Sequence, residues 1–312
     1  MAFFYLVTGG AGFIGSHLAE TLVRQGERVR VLDNFSTGKP GNLEPFRKDA
    51  ELLEGDLRSL DDCRKAVAGV DFVLHQAALP SVPKSVADPL ATNESNITGT
   101  LNLLVAARDA GVKRVVYASS SSAYGNAPSL PKIETMKSEP LSPYAVQKHV
   151  GELYCRVFYE LYGLETVALR YFNVFGPRQD PTSQYAAVIP RFIMALARGE
   201  RPVVYGDGEQ SRDFTYVDNV VRANLLATQA RGAAGEVMNF ACGRRYSLLE
   251  LLEVLRGILR SEIAPVHEPA RPGDVKHSLA DIEKSRRILG YTAHVSFEEG
   301  LRRTVAFFVP GK

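Results

Sequence analysis

Apolar residues in this chain come in short unbroken runs, separated by stretches of helical period. Phe3-Phe4-Tyr5-Leu6-Val7-Thr8 is too short a run for a helix and has the character of a strand buried on both faces. A helical pattern follows from Ile14 to about Gln25, then a second strand, Arg28 to Leu32, ending in Asp33. The same beat continues through strand Glu51–Gly55, short helix Leu60–Ala68 and strand Phe72–His75. A long helix over Asp88–Ala110, with Gly111 as its stop, and the strands Arg114–Ala118 and Leu164–Leu169 complete it. Strands alternating with helices predict an α/β fold. Its centre would be a Rossmann-type doubly wound parallel sheet, with ligands at the carboxyl ends of the strands.

After about Arg170 the beat weakens, and Gly, Pro, Arg and aromatic residues become denser. Tyr171 to Arg178 reads as loop. Val188 to Arg198 reads as helix, and Val203-Val204-Tyr205 as a strand before the turn Gly206-Asp207-Gly208. Ser211 to Asp218 leads into a helix from about Val217, and Val237 to Ala241 suits a late strand returning to the main sheet. Leu248–Leu259 and Phe297–Phe308 read as helices. The expected result is a smaller mixed α/β unit with no clean linker, and a cleft between the two as the substrate site.

The first strand-to-helix turn carries chemistry. Gly9-Gly10-Ala11-Gly12-Phe13-Ile14-Gly15 has glycines where a tight turn, a close approach to a pyrophosphate and close helix–strand packing need them. The following helix offers free N–H groups and a favourable dipole to phosphate. Asp33 closes the next strand where adenosine ribose hydroxyls would lie, and Asn34 rather than Arg follows it. A carboxylate there repels a 2′-phosphate, so the pattern favours NAD over NADP. Asp56 and Leu57 end the third strand where an adenine would meet them. Gln76-Ala77-Ala78 ends the fourth with small residues that permit close approach, and His75 reads as a packed strand histidine. Residues 1–172 are thus expected to be the NAD-binding domain, with a return at about 213–241, and 173–312 mainly the substrate domain.

Composition adds exclusions. The chain has 312 residues, 45% hydrophobic and 23% charged, with net charge +2, which offers no bulk field for nucleic acid or an anionic membrane. Cys63, Cys155 and Cys242 show neither metal spacing nor a disulfide framework, in keeping with a reducing cytoplasm. The apolar start, Met1 to Gly15, lacks a basic leader and is interrupted by glycine, unlike a signal peptide. No apolar run reaches the ~18 residues of a membrane span.

Tyr144 and Lys148 lie four apart behind Ser142 and Pro143, an N-cap and a first-turn proline. On a helix both side chains point to one place, where the ammonium would lower the phenol's pKa and make it a general base. Taken alone, the pair also describes an ordinary exposed helix face. Its company raises it: the glycine turn, and the serine run Ser119-Ser120-Ser121-Ser122 at a strand end.

Together these motifs resemble the extended short-chain dehydrogenase/reductase superfamily, and within it the UDP-sugar 4-epimerases. The resemblance covers essentially the whole chain. It is carried by Thr8 through Gly15, Gly55-Asp56-Leu57, His75 through Ala78, Ser119 through Gly125, Tyr144 with Lys148, Asn173, Ser211-Arg212-Asp213-Phe214 and Arg271-Pro272-Gly273-Asp274. It implies NAD as tightly held cofactor, Ser120, Tyr144 and Lys148 as catalytic residues, and Asn96 as a cofactor-ordering asparagine. Gly9, Gly12, Phe13, Ile14, Gly15, Asp33, Asn34, Asp56, Leu57, Gln76, Ala77, Ala78 and Tyr171 would complete the cofactor site. Ser81, Ser120, Asn173, Ala187, Val188, Tyr205, Arg212, Arg271, Asp274 and Ser278 would line the UDP-sugar site. Asn173, Arg212 and Arg271 would hold the diphosphate; without the resemblance, the two arginines read as surface charge.

The implied reaction is 4-epimerisation of UDP-Glc/UDP-Gal through a transient 4-keto sugar. Ser278, small at a pocket-wall position, implies room for UDP-GlcNAc/UDP-GalNAc as well, though it also reads as a plain loop residue. A 4,6-dehydratase would need an acid pair at Ser121 and Ser122, so dehydration is not expected. A UDP-glucuronate 4-epimerase or decarboxylase, and a non-catalytic NAD-binding regulatory protein, stay open as alternatives. The resemblance also implies a homodimer paired through Asp88–Ala110 and Tyr144–Tyr162.

Overall fold

Alternate residues of the first strand bury into different layers. In the computed structural model, which describes residues 2–181, 187–270 and 276–311, strand β1 spans Phe4–Thr8. Tyr5 and Val7 pack with Leu18, Leu22, Val220 and Ala223, whereas Phe4 and Leu6 pack with Cys63, Leu103, Ala107 and Phe158. A strand with helices on both sides must be apolar on both, hence the unbroken run.

Five more strands continue the sheet: β2 Arg28–Asp33, β3 Glu51–Glu54, β4 Phe72–His75, β5 Arg114–Ser120 and β6 Glu165–Tyr171. Their order is β3-β2-β1-β4-β5-β6, with the late strand Glu236–Phe240 added beside β6. Every pairing is parallel. This is the doubly wound arrangement expected from the sequence. The predicted return to the sheet is realised by Glu236–Phe240, whose Phe240 stands opposite Tyr171.

Helices α1 Phe13–Arg24, α2 Leu60–Val67, α3 Val82–Ala87, α4 Pro89–Asn93, α5 Gly99–Asp109 and α6 Pro143–Tyr162 belong to this first part. The single long helix expected over Asp88–Ala110 is interrupted. Between α4 and α5, Glu94–Thr98 forms a π-helical turn. The wider turn carries Asn96, whose buried amide reaches across to the Leu79 backbone. Such a bulge keeps a helix running while it re-aims one side chain.

Later helices are α7 Val188–Ala197, α8 Val217–Gln229, α9 Leu248–Leu259, α10 Glu283–Leu289 and α11 Phe297–Phe308. Of these, α7, α9 and α11 enclose a separate apolar core with Phe175, Phe214 and Tyr216. Phe13 and Ile14 pack against that core from the start of α1. The first turn of α1 therefore stands at the seam between sheet and helical layer, where the cleft was expected. Tyr171 to Arg178, read from sequence as loop, divides between the end of β6 and a two-residue strand, Val174–Phe175, paired with Thr215–Tyr216.

One buried ion pair joins the elements at the carboxyl edge. Glu152 of α6 takes a fork from Arg170 of β6, with Nε and Nη2 each 2.7 Å from a carboxylate oxygen. Its remaining capacity is met by the Ser119 hydroxyl of β5 and by His149 Nδ1 at 3.1 Å. Burial opposes the Glu152 carboxylate, but the Arg170 bonds outweigh it and hold the pKa below its ordinary value. Glu152→Gln leaves the Arg170 cation uncompensated and is predicted to cost about 3 kcal/mol of unfolding free energy, read from urea melts at neutral pH. A carboxylate with a depressed folded pKa stabilises above its unfolded pKa and loses that contribution as pH falls. The gap between variant and wild type should therefore shrink in acid.

Candidate active site

Two glycines of the first turn leave no room for a side chain. Gly9 has φ +67°, and a Cβ there would lie 2.8 Å from the Ala77 backbone; one on Gly15 would lie 2.1 Å from the Gly9 carbonyl oxygen. Gly12 is the N-cap of α1, with no side chain capping that end and no acidic residue in the first turn. A Cβ on Gly12 would meet only that same oxygen, at 3.1 Å. The N-terminal amides, including those of Phe13 and Ile14, thus face a cradle that suits a pyrophosphate.

Asp33, at the end of β2, anchors this loop by accepting the Ala11 N–H at 2.9 Å and the Phe35 N–H at 2.8 Å. Burial pushes its pKa up against those bonds. The next residue, Asn34, donates to Asp56 at 2.8 Å, and Arg58 forks onto the same carboxylate. The Arg58 bonds hold Asp56 at about 2 despite partial burial. Leu57 is buried beside this rim, its carbonyl accepting from Asn102. The glycine cradle, the carboxylate at the end of β2 and the rim after β3 fit the adenosine diphosphate half of NAD.

His75, at the end of β4, is structural. The Thr100 hydroxyl donates to the Asn96 carbonyl at 2.7 Å, so it must accept from His75 Nε2–H at 3.0 Å. His75 Nδ1 is then bare and accepts from the Thr8 hydroxyl at 2.8 Å, and Thr8 in turn accepts the Ala77 N–H. Burial lowers His75 to about 3, so the ring is neutral at ordinary pH. Asn96 holds Leu79 by both N–H and carbonyl and donates to Gln147 of α6 at 2.8 Å. It acts through the segment after β4, which contains Ala77 and Ala78. Gln76 and Tyr171 bond to each other and to Asn224 of α8. The Tyr171 hydroxyl is thus committed to the interior.

Ser120 ends β5, and Tyr144 lies in the first turn of α6, capped by Ser142 as expected. The Ser120 hydroxyl lies close enough to the Tyr144 phenol to favour its ionised form. Ser85 of α3 accepts the Tyr144 N–H at 3.0 Å and fixes where that turn begins. Lys148 is also buried, but its ammonium donates to the Ala118 carbonyl at 2.8 Å and lies 5.0 Å from the centre of the Tyr117 ring. This corrects the expected electrostatics. Burial raises Tyr144 to about 12, the nearby Ser120 hydroxyl is the opposing influence, and Lys148 is not what sets the value. Burial also lowers Lys148 to about 8, with Glu152 working against that fall.

On the substrate side, Asn173 adopts φ +36° and donates to the Asp213 carbonyl at 3.1 Å. Arg212 donates to the carbonyls of Ser211 and Lys276, and Ser278 N–H donates to the Ser211 carbonyl at 3.0 Å. Arg212 and Ser278 are therefore neighbours. Ser81 caps α3, Ala187 precedes α7, Val188 packs on the second core, and Tyr205 ends a short strand under Arg191. Arg271 and Asp274 lie outside the described residues. Among the described residues no cluster of His, Cys, Asp and Glu is arranged to hold a metal, and no helix is long and apolar enough to cross a membrane.

Several supporting residues escaped sequence reasoning. Asp213 is the strongest: its buried carboxylate accepts N–H groups of Cys242, Gly243 and Ala280, tying the turn after the last sheet strand to the segment that carries Ser278. Burial pushes it up to about 7. Its place inside Ser211-Arg212-Asp213-Phe214 was the available signal. Ser85, Gln147 and Asn224 gave none, because hydroxyls and amides are too common to stand out.

Two glycine variants separate cradle from fold. Gly12→Ala is predicted to keep stability within about 1 kcal/mol but to lower retained NAD at least about tenfold, measured after gel filtration. Gly15→Ala should lose both, because its methyl meets backbone. His75 makes a pH prediction. Its lowered pKa means that its contribution is present above its unfolded value of ~6.5 and fades as pH falls toward 3. In His75→Gln the stability–pH slope over that window should be shallower, read from urea midpoints.

Comparison with known proteins agrees with this geometry. The NAD dependent epimerase/dehydratase family model matches residues 5–241. A UDP-N-acetylglucosamine 4-epimerase from Methanobrevibacter ruminantium M1, solved in complex with UDP-N-acetylmuramic acid, is 46% identical with TM-score 0.94 and 99% of each chain covered. A putative UDP-glucose 4-epimerase of Methanocaldococcus jannaschii is 38% identical over 96% of each chain. A UDP-glucuronate 4-epimerase of Thermodesulfobacterium geofontis is 35% identical over 97% of this chain and 95% of its own. The chain therefore belongs to the NAD dependent epimerase/dehydratase family and is an NAD-dependent isomerase.

Proposed function

We propose that the enzyme interconverts UDP-Glc with UDP-Gal and UDP-GlcNAc with UDP-GalNAc by inverting C4 through a transient 4-keto sugar. The observation that carries this reading is the meeting of Ser120, at the end of β5, with the Tyr144 phenol, at the start of α6, with Lys148 one helical turn along. Bound NAD supplies a hydride acceptor that later returns the hydride. Tyr144 takes the proton of the sugar 4-hydroxyl and gives it back after the keto sugar has turned over. Ser120 donates to the sugar oxygen and steadies its developing charge. Lys148 keeps a positive charge close to the end of β5, where the cofactor's ribose would lie. Because the sugar must rotate, binding should be strongest at the nucleotide end, where Asn173, Arg212 and Arg271 would hold the diphosphate.

The division of labour follows: residues 1–172 with the return through α8 serve the cofactor, and the remainder of 173–312 serves the sugar nucleotide. Admission of the acetamido group rests on Ser278, whose small side chain stands beside Arg212. The M. ruminantium relative, with its N-acetylated ligand, favours the same substrate class. A UDP-glucuronate epimerase remains the second reading, favoured by the T. geofontis relative.

The enzyme works in the cytoplasm, consistent with three free cysteines. It pairs as a homodimer through an exposed apolar stripe on α6 made by Val146, Leu153, Val157 and Leu161, with exposed Val86 and Leu90 on α3 and α4, the short helices that pack against α6.

Purified protein incubated with UDP-Glc, UDP-GlcNAc or UDP-glucuronate is expected to form the C4 epimers of the first two, resolved by chromatography, with no net NADH. Conversion of UDP-glucuronate alone would replace this reading with the second. Tyr144→Phe should lower kcat at least about a hundredfold. Ser278→Tyr should remove turnover of the N-acetyl sugars and spare UDP-Glc; equal loss of both would sink the gate. Leu153→Glu should shift a dimer toward monomer in light scattering.

A further inference from the structure

We infer that Asn239 is a positioning residue for this reaction: its one side-chain amide sets the gap between the turn that follows Ser120 and the segment that carries Ser278. The inference rests on the proposed reaction, which puts the sugar between those two.

Asn239 lies in the last sheet strand, opposite Arg170 of β6, and is fully buried. Its Nδ2 donates to two carbonyls, that of Lys132 at 2.8 Å and that of Asp281 at 3.1 Å. A carbonyl only accepts, so the orientation of the amide is fixed and Oδ1 faces Tyr124. An amide oxygen has no proton, so the Tyr124 hydroxyl donates to it, at 2.6 Å. The Asn239 backbone N–H goes to Glu134 at 2.8 Å. Both hydrogens of the side-chain amide are used, and its oxygen as well.

The two ends of that amide hold two different walls. Tyr124 closes the 3-10 turn Ser121–Tyr124, which Ser120 caps. The Arg170 guanidinium lies 4.6 Å from the centre of its ring, so ring and hydroxyl are both held. On the other side, the Lys132 N–H donates to the Leu279 carbonyl at 2.7 Å, and the Lys132 carbonyl also accepts the Asp281 N–H at 2.8 Å. Lys132 thus brackets Ala280, and Ser278 stands just ahead of the bracket. Asp213 holds the Ala280 N–H separately. Loss of the Asn239 bonds therefore shifts the Ser278 segment without freeing it.

The place calls for an amide, which accepts at one end and donates twice at the other. A carboxylate would set an oxygen against two carbonyls, and an apolar residue would strip the Tyr124 hydroxyl of its buried partner. Such a clasp fixes a width, and width matters most to the sugar with the larger substituent.

The test uses the NAD-loaded enzyme with Tyr124→Phe and Asn239→Asp. Tyr124→Phe loses the bond on the Ser120 side alone. It should lower kcat about tenfold for UDP-Glc and UDP-GlcNAc alike and leave both KM values within about twofold, because Ser120 acts on the reacting oxygen. Asn239→Asp keeps an acceptor for Tyr124 and loses the bonds on the Ser278 side. It should leave kcat for UDP-Glc within about twofold and raise KM for UDP-GlcNAc about tenfold relative to UDP-Glc, with inhibition by UDP unchanged. Where Asn239→Asp fails to fold, Asn239→Ser, which loses both sides, should show both effects together. Equal losses for the two sugars in the Asn239 variants, or a Tyr124→Phe effect confined to KM, overturn the assignment. Amide hydrogen exchange gives a readout without substrate. In Asn239→Asp it should quicken at Lys132 and Asp281 and not at Ser122 and Gly125, and in Tyr124→Phe the reverse; quickening at both places in either variant overturns the clasp. The split pattern in a protein that epimerises neither sugar would sustain the clasp and overturn only the proposed reaction.

Discussion

The ion pair between Glu152 and Arg170 is the interaction on which the active-site edge depends. It joins the middle of α6 to the end of β6 and, through Ser119, to the end of β5. Those elements carry Tyr144 and Lys148, Tyr171, and Ser120 respectively. A buried pair of this kind adds little net stability over an apolar replacement, but breaking one half is costly. It therefore acts best as a register pin. Parallel strands end at similar heights, and one helix carboxylate bonded to both β5 and β6 fixes which residue of each comes last. Ser120 and Tyr171 stand opposite each other at that end.

Dryness shapes the chemistry above the pin. Burial alone pushes the Tyr144 phenol and the Lys148 ammonium toward their neutral forms, in opposite pH directions. A dry site makes each remaining dipole count for more. The Ala118 carbonyl holds the ammonium, and the Ser120 hydroxyl favours phenolate. The phenol is thus influenced locally by the Ser120 hydroxyl, and the lysine is held by a strand end rather than aimed at the phenol. The His75 relay serves the same edge without titrating: neutral between Thr8 and Thr100, it passes a fixed hydrogen-bond direction from the Ala77 N–H to the Asn96 carbonyl.

What could be read from the sequence divides along physical lines. Period and length placed the sheet strands β1 to β6, and steric need placed Gly9, Gly12 and Gly15, because both are local properties. The helix expected over Asp88–Ala110 was right in extent and wrong in winding. A π turn depends on where Asn96 finds a partner, and that partner is Leu79 in another segment. Helix α3 was missed because a six-residue helix with a proline in its first turn shows no period. Ser120 and Tyr144 were brought together as expected, whereas the direction of Lys148 was not legible. A flexible stem four residues along a helix can reach a phenol or a carbonyl, and only the packed site decides.

The substrate side obeys a different constraint. A sugar that must present both faces to one hydride position cannot be gripped at the ring, so the rigid contacts have to be made elsewhere. Asp213 supplies that rigidity. Its carboxylate gathers backbone N–H groups from the turn after the last sheet strand and from Ala280, while its own carbonyl accepts from Asn173. Arg212 and Ser278 are strapped to Ser211 on the same short strand. The end of the site expected to hold the diphosphate is thus cross-linked to the sheet that carries Ser120. The wall expected to face the sugar is a single small residue. A fixed anchor at the nucleotide end is what an enzyme needs when it must let its substrate turn without letting it leave.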